Sequence, residues 1–206
     1  SGPYATMLLA DHGAEVIKIE SSEGDTSRRS GPFNKSDKKK EWSGYFISLN
    51  RNKKSIYLNL KNENDLVFLK KLIKKSDVLV ENFRPGVMKR LGLSFDEVSK
   101  INSRIVYGSI SGFGSEVFGE SPYKNWPSYD VVAQAMGGLI SLTGYDERTP
   151  LKVGPGIADI FSGSLLSFGL LASILKSRTT GKAQYVEVAM YDAIVSMCER
   201  AVYQYD

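Results

Sequence analysis

The most apolar part of the chain is residues 150–182, PLKVGPGIADIFSGSLLSFGLLASILKSRTTGK. The Gly-Pro-Gly run at 154–156 predicts a turn, because neither a helix nor a strand continues easily through these residues. From Ile160 to Lys176 nearly every residue is apolar, interrupted only by small serine and glycine residues. A segment that is apolar on every side predicts a helix buried in a core. This run is also shorter than the roughly 20 residues that a membrane-spanning helix needs.

Asp159 stands where the turn meets this helix. One interpretation is structural: aspartate is a favoured N-cap, and Ser162 lies at the position whose backbone N–H would donate to it. The other is functional and uses the same geometry. A helix N-terminus favours the ionised form of an acid, glycine lets a ligand approach the backbone, and a carboxylate can act as a covalent nucleophile. The local sequence leaves both interpretations open.

Composition excludes several classes of protein. The 206 residues are 42% hydrophobic and 24% charged, which is typical of a globular protein with one sizeable core or two small domains. The net charge of +4 suits an anionic ligand but is too scattered to indicate nucleic-acid binding. Cys198 and His12 are the only residues of their types, so we expect no disulfide framework, no metal site and no Ser-His-Asp triad. Neither a signal peptide nor a membrane span is visible, which predicts a cytoplasmic protein.

Helical and strand patterns alternate through the first half of the chain. A helix at Tyr4–Ala10 and a strand at Glu15–Ile19 come first, so we expect a further strand upstream. The β-α-β-α-β order predicts an α/β fold, an open parallel sheet with helices on both faces. Further strands are expected at 55–60, 78–80, 105–110 and 184–188, and further helices at 63–75, 87–91, 94–100, 129–142 and from 189 onward.

A parallel sheet of this kind first suggests a nicotinamide-dependent enzyme. Glu20, at the end of the first predicted strand, is where such a domain places its ribose-binding acid. The glycine fingerprint does not accompany it, because the residues before the first helix read Ser1-Gly2-Pro3. The pair Gly112 and Gly114 opens no helix pattern and is a weak signal alone. We therefore keep a nicotinamide enzyme only as a disfavoured alternative.

Seven segments along the chain carry a resemblance to a known family. In chain order they are GPYATMLLADHGAEVIKIE, GYFISLNRNKKSI, VLVENFRPGVMKRLGL, IVYGSISGFG, YDVVAQAMGGLISLTG, VGPGIADIFSG and TTGKAQYVEVAMYDA. They resemble the class III CoA-transferases, the superfamily that includes carnitine CoA-transferase, formyl-CoA transferase and α-methylacyl-CoA racemase. The resemblance implies that this chain is the N-terminal half of a longer family chain. It implies a Rossmann-like CoA-binding region at 1–125, then catalytic-aspartate helices at 126–206, leading into a second domain that is mostly absent here.

The resemblance also implies a function. Asp159 matches the catalytic aspartate of the transferases, which move CoA from an acyl-CoA thioester to a small carboxylic acid through an aspartyl-CoA intermediate. Asn82, Phe83 and Arg90 match positions that contact CoA, and Arg84 and Lys89 are neighbouring candidates for which plain surface charge is the alternative. The family forms interlocked homodimers. We expect coenzyme A as the substrate thioester and neither a membrane nor a nucleic acid as a partner.

Two alternatives to a transferase stay open. Racemases of the superfamily pair the aspartate with a histidine base, and Tyr129 stands at that position here, before Asp130. A phenol is a poor replacement for an imidazole base near neutral pH, so the sequence favours the transferase. Asp130 itself either orients the active site or caps its own helix. The second alternative is a homologue that binds CoA without catalysis, and the presence of Asp159 argues against it.

Overall fold

The computed structural model describes residues 1–146 and 148–204, in which helices surround five parallel strands. The strands are β1 Val16–Glu20, β2 Lys53–Tyr57, β3 Val78–Glu81, β4 Val106–Ser111 and β5 Gln184–Ala189. The helices are α1 Gly2–Asp11, α2 Gly44–Asn50, α3 Glu63–Lys75, α4 Val87–Arg90, α5 Phe95–Ile101, α6 Asp130–Met136, α7 Leu139–Leu142, α8 Ile157–Thr180, α9 Met190–Met197 and α10 Glu199–Tyr203, with a 3₁₀ turn at Thr26–Arg29.

The strands form two sheets, β1-β2 and β3-β4-β5, and every strand pair is parallel. All six residues of the central strand β4 are buried, as expected when helices cover both faces of a parallel sheet. Side-chain packing joins the two sheets, because Ile19 and Ile56 share an apolar cluster with Leu79. The predicted α/β class with parallel strands is confirmed, and the strands divide into two groups.

Helices cover both faces of the three-stranded sheet. On one face, Val106 and Ile110 of β4 pack with Leu166 and Leu170 of α8. On the other face, Tyr107 packs among side chains from α3 and α5. This alternation follows from the strand period of two, which points successive side chains to opposite faces. Cys198 is buried in the cluster on the α8 side of the sheet.

Helix α8 differs from its prediction in two ways. It begins at Ile157 with Gly156 as its N-cap, so Asp159 is its third residue and the interpretation of Asp159 as the N-cap is wrong. The helix is also not buried on every side, because Phe168 is 75% exposed. The exposed large apolar side chains of α8 are Leu165, Phe168, Leu171 and Leu175.

The length and apolar composition of α8 would also let it cross a membrane, with a mean hydropathy of 1.7 over 18 residues. Core helices of globular proteins share these properties, and α8 here packs against α1, α9, β4 and β5. Length and composition are therefore weak support for a membrane span.

The helix predicted at 129–142 is divided into α6 and α7 by two glycines. Gly138 has a φ of +89°, a conformation that residues with a side chain rarely adopt. At Gly137 an added Cβ would lie 2.5 Å from Cγ2 of Ile194, so a glycine is needed where α9 crosses. Tyr129 is the N-cap of α6, and Asp130 is its first residue.

Glu20, at the carboxyl end of β1, is held by Arg28. Nε and Nη2 of Arg28 donate to its two carboxylate oxygens, each at 2.8 Å. These bonds, with others from Ser55 and the Asp25 N–H, lower the pKa of Glu20 from 4.5 to about 2, although burial opposes the shift. Because the folded-state pKa lies below the unfolded value, the interaction stabilises the fold above about pH 4.5 and is lost as the pH falls towards 2.

We expect Glu20→Gln to lower the free energy of unfolding at pH 7 by on the order of 2 kcal/mol, after allowance for the partial exposure of Arg28. At pH 3 the loss should be smaller, because the Glu20 carboxylate is then largely protonated in the unfolded chain but still mostly ionised in the folded protein. Proton binding therefore favours the unfolded wild-type chain and removes part of the stabilisation. Urea unfolding at both pH values measures this. Glu15→Gln is the matched control, since the Glu15–Lys54 pair is exposed and its removal should have no measurable effect. An equal loss from Glu20→Gln at both pH values would contradict the assignment.

Candidate active site

The first turn of α8 is capped by a residue from another helix. Oδ1 of Asp130, the first residue of α6, accepts the N–H of Ala158 at 2.9 Å. The expectation that Asp130 caps its own helix is wrong, because Tyr129 is the N-cap of α6 and Asp130 caps the neighbouring helix α8. Its other expected role, orienting the active site, stays a prediction. A carboxylate at that position also interacts favourably with the helix dipole. With this N–H satisfied from outside, Asp159 is not required as a cap.

A buried glutamine fixes Asp130 and the glycine turn together. Nε2 of Gln134 donates to Oδ2 of Asp130 at 2.8 Å, and Oε1 of Gln134 accepts the N–H of Val153 at 3.0 Å. Gln134 is fully buried, and these bonds, with a longer one from Nε2 to the Pro155 carbonyl oxygen at 3.4 Å, give its amide the partners that it cannot find in water. Lys152 lies 3.6 Å from Oδ2 of Asp130 and adds a positive charge. The loop before α8 is thereby held against α6.

Asp159 is 34% exposed and is bound through one of its two oxygens. Oγ of Ser1 donates to Oδ1 at 2.5 Å, and the Ser1 nitrogen lies 3.1 Å from the same oxygen. Among the described residues, no donor reaches Oδ2 within hydrogen-bonding distance. The carboxylate is therefore fixed in orientation with one oxygen left for another partner.

Close packing of α1 on α8 brings Ser1 to this position. A Cβ at Gly163 would lie 2.9 Å from the carbonyl oxygen of Ser1 and 3.2 Å from the nitrogen of Ala5, so only glycine fits. One turn further along α8, Oγ of Ser167 donates to the carbonyl oxygen of Ala5 at 3.1 Å. Small residues on α8 thus allow the two helix backbones to approach.

Asn82, at the carboxyl end of β3, is tied to the same helix end. Its Oδ1 accepts the N–H of Gly2 at 3.1 Å, and its Nδ2 donates to the carbonyl oxygen of Ile110 at 2.8 Å. The structure therefore brings Asn82 to the N-terminus of α1, one residue from the contact with Asp159. Each end of its amide already has a protein partner. Its predicted contact with CoA stays a prediction, and the structure adds this bracing role.

The other predicted CoA residues lie on the loop and short helix that follow β3. Phe83 is 47% exposed, and its N–H donates to Oε2 of Glu81 at 2.9 Å. Arg84, Lys89 and Arg90 are exposed and form no ion pair with any residue in 1–146 or 148–204. Three cations beside an exposed aromatic ring suit a ligand with phosphates and an aromatic base. The loop lies at the carboxyl end of a parallel strand, where open α/β sheets bind ligands.

Glu81, the last residue of β3, holds the start of this loop. It is in register with Ser109 of β4, which in turn is in register with Glu187 of β5. Oγ of Ser109 donates to Oε1 of Glu81, and burial raises the pKa of the Glu81 carboxyl above its ordinary value. Because both oxygens of Glu81 are engaged by the sheet and by Phe83, the start of the loop is fixed.

Two residues near Asp159 were not singled out from the sequence. Ser1 comes close through α1–α8 packing, which no local pattern signals. Tyr45, on α2, has its pKa raised by burial and then by the negative charge of Asp159. Its position inside the segment GYFISLNRNKKSI, one of those that carry the family resemblance, was the available signal. Tyr129 is 73% exposed.

Known proteins match the whole of this chain. The model of CoA-transferase family III matches residues 1–206. A succinyl-CoA:mesaconate CoA-transferase from Haloarcula marismortui is 43% identical over 205 residues, which are 100% of this chain and 52% of the relative. A formyl-CoA:oxalate CoA-transferase from Streptomyces coelicolor is 46% identical over 198 residues, covering 96% of this chain and 46% of the relative.

Solved structures agree with these matches. The crystal structure of a CAIB/BAIF family protein from Brucella suis superposes with a TM-score of 0.90 at 33% identity, covering 98% of this chain and 53% of that one. The chain thus spans about half the length of the relatives that it matches. A family match along all 206 residues, together with the parallel fold and the aspartate at the start of α8, places this chain in CoA-transferase family III.

Proposed function

We propose that the protein containing this chain transfers CoA from an acyl-CoA thioester to a carboxylic acid, with Asp159 as the covalent nucleophile. The observation that carries the proposal is the carboxylate of Asp159 in the first turn of α8, oriented through Oδ1 while Asp130 provides the cap. Such a carboxylate is held in orientation by its first oxygen, while its second oxygen accepts no hydrogen bond from the described residues and can attack a substrate. The named relatives, which act on succinyl-CoA and mesaconate or on formyl-CoA and oxalate, support this reaction class.

The first half of the reaction charges the enzyme. A carboxylate oxygen of Asp159 attacks the thioester carbon, a C–O bond forms, and the C–S bond breaks with its electron pair leaving on the CoA sulfur. The thiolate then attacks Cγ of Asp159 in the resulting anhydride. The donor acid leaves as its carboxylate, and an aspartyl-CoA thioester remains.

The second half repeats these steps in reverse order. The acceptor carboxylate attacks Cγ of the aspartyl-CoA, which releases the thiolate and forms a new anhydride. The thiolate attacks the acyl carbon of the acceptor, so the new acyl-CoA leaves and the Asp159 carboxylate is regenerated. No proton is gained or lost overall. Because anhydrides hydrolyse, the site must exclude water. The apolar core behind the first turn of α8 shields one side of the site from water.

We propose that CoA lies along the carboxyl end of β3, with its phosphates near Arg84, Lys89 and Arg90 and with Phe83 beside it. The exposed cations and their lack of carboxylate partners among the described residues support this placement. Arginine is well suited to phosphate because its planar head can donate two parallel hydrogen bonds.

Arg90→Ala in the full-length enzyme should raise the KM for acyl-CoA by roughly 10-fold or more, because a charge-assisted hydrogen bond to phosphate is lost. The value of kcat should change little, since Arg90 is proposed to bind a part of CoA remote from the thioester. Steady-state kinetics with varied acyl-CoA measure both. Arg104→Ala is the matched control: Arg104 is exposed at the opposite, amino end of β4 and should leave KM unchanged. An unchanged KM in Arg90→Ala would remove Arg90 from the CoA site.

The racemase alternative is tested in the same enzyme. The exposed Tyr129 offers a phenol where a racemase of the superfamily has its histidine, which favours transfer. Acyl-CoA donors, including succinyl-CoA and formyl-CoA, are incubated with mesaconate, oxalate and other acids, and new CoA esters are separated by chromatography. A 2-methylacyl-CoA is incubated in deuterated water in parallel. New esters without deuterium at the α-carbon are expected, and α-deuteration without new esters would overturn the proposal.

A further inference from the structure

The side chain of Ser1 is more deeply buried than the carboxylate that it contacts. It is 1% exposed, whereas Asp159 is 34% exposed. Its hydroxyl donates to Oδ1 at 2.5 Å, which is the short distance expected when the acceptor is a carboxylate. A hydroxyl buried in this way cannot rotate into water for an alternative partner. The bond therefore persists for as long as α1 stays packed on α8.

The two oxygens of Asp159 have different fates in the proposed reaction. With Oδ1 occupied, Oδ2 is the oxygen available to attack the thioester, and it becomes the bridging atom of the anhydride. Oδ1 then becomes the carbonyl oxygen of the aspartyl group. When the CoA thiolate adds to Cγ, the carbonyl electron pair moves onto Oδ1, and this oxygen carries the negative charge of the tetrahedral intermediate.

We propose that the Ser1 hydroxyl is a catalytic residue that selects Oδ2 as the nucleophile and stabilises the charge that develops on Oδ1 when Cγ is attacked. The inference rests on the proposed function. The proton stays on Oγ of Ser1 throughout, and the hydroxyl contributes only a hydrogen bond that strengthens as charge accumulates. Donors aimed at a developing oxyanion stabilise a transition state more than a ground state.

The surroundings of Ser1 hold this donor in place before the reaction. The N–H of the next residue, Gly2, is bound to Oδ1 of Asn82, which is itself bonded to β4. On the other side, the backbone of Gly163 lies so close to Ser1 that an added Cβ would be 2.9 Å from the Ser1 carbonyl oxygen, and this contact sets how closely Ser1 approaches α8. A donor fixed in this way needs no reorganisation when the charge appears.

The test is Ser1→Ala in the full-length enzyme. Loss of one oxyanion donor should lower kcat by about 30-fold, below the 10²–10³ range for a sole side-chain donor because the Ser1 nitrogen still faces Oδ1. The KM for acyl-CoA should stay within about twofold, since the hydroxyl is proposed to stabilise a transition state. Ser1→Thr keeps the hydroxyl and should restore most of kcat. Thr6→Val is the matched control, because Oγ1 of Thr6 bonds only to carbonyls of α1 and should be dispensable.

Rapid-quench measurement of free CoA thiol separates catalysis from a merely structural role. Attack on the thioester places no new charge on Oδ1, so Ser1→Ala should release thiol at close to the wild-type rate and then accumulate it. Equal slowing of both steps would indicate a displaced Asp159 and would overturn the inference. If Ser1→Ala unfolds, Ser1→Cys, with a weaker donor of similar shape, should show the same accumulation. If the wild-type enzyme formed no covalent adduct at Asp159, the proposed function would be overturned together with the inference. If the adduct formed normally and Ser1→Ala kept its full kcat, only the inference about Ser1 would be overturned.

Discussion

Replacing Asp159 with asparagine in the full-length enzyme is expected to abolish CoA transfer, with a loss of roughly four orders of magnitude or more in kcat. An amide of nearly the same shape can still accept the hydrogen bond from Ser1 through Oδ1, so the first turn of α8 should keep its geometry. What disappears is the nucleophilic oxygen, without which no anhydride forms. Exchange of labelled CoA between donor and acceptor acids, followed by chromatography, measures the effect.

The covalent intermediate can be trapped in the wild-type enzyme, with Asp159→Asn as the negative control. When wild-type enzyme is mixed with acyl-CoA and quenched with hydroxylamine, Asp159 should be converted to a hydroxamate, detected by mass spectrometry of its peptide. Asp159→Asn should give no such product. Asp96→Asn is the matched control, because Asp96 is also an acidic residue in the first turn of a helix but is exposed on α5. Full transfer by Asp159→Asn, or a wild-type enzyme that yields no hydroxamate, would rule out Asp159 as the nucleophile.

The sequence was sufficient where the determinants of structure are local. Helix α3 has the predicted bounds Glu63–Lys75, because Asn62 caps its first turn through its own side chain and the apolar residues recur at helical spacing. The break between α6 and α7 was also locally encoded, by Gly137 and Gly138, but was missed because the apolar pattern continues through both. Local pattern thus identifies an element more reliably than it identifies an interruption within it.

The errors at α8 have a different cause. Asp159 was a reasonable N-cap from its neighbours, but the cap comes from Asp130, which is close only after α6 has packed beside α8. The exposure of Phe168 was equally unpredictable. A helix that is apolar on all sides is expected to be buried, but its pattern does not identify which elements pack against each face. The contact of Ser1 with Asp159 joins residues 158 positions apart. The parts of the candidate site that the sequence missed are therefore those made by tertiary packing.

Gly163 is where this packing can be tested, and Gly163→Val is expected to be among the most damaging single substitutions in the chain. An added Cβ would lie 2.9 Å from the carbonyl oxygen of Ser1 and 3.2 Å from the backbone nitrogen of Ala5. Because these obstacles are backbone atoms, the two helices must separate. Overpacking of this kind costs roughly 1–3 kcal/mol, and a branched side chain against backbone should reach the upper end.

Separation of the helices should also affect catalysis, because it moves both the hydroxyl and the nitrogen of Ser1 away from Oδ1 of Asp159. The loss should therefore exceed the one expected from removing the hydroxyl alone. We expect kcat to fall by at least about 100-fold in protein that remains folded, as a displacement near 1 Å can produce a loss of this size. Thermal unfolding and steady-state kinetics on the full-length enzyme measure the two effects. Gly169→Val, two turns along α8, is the matched control: its Cβ would meet only the Cγ1 methyl of Val186, a side-chain atom that can shift. That variant should lose some stability yet keep kcat within about threefold, since no atom of α1 lies within 4 Å of a Cβ added at Gly169. Equal losses of kcat in the two variants would show that the close approach of α1 and α8 at Gly163 is not what positions Ser1 for the reaction.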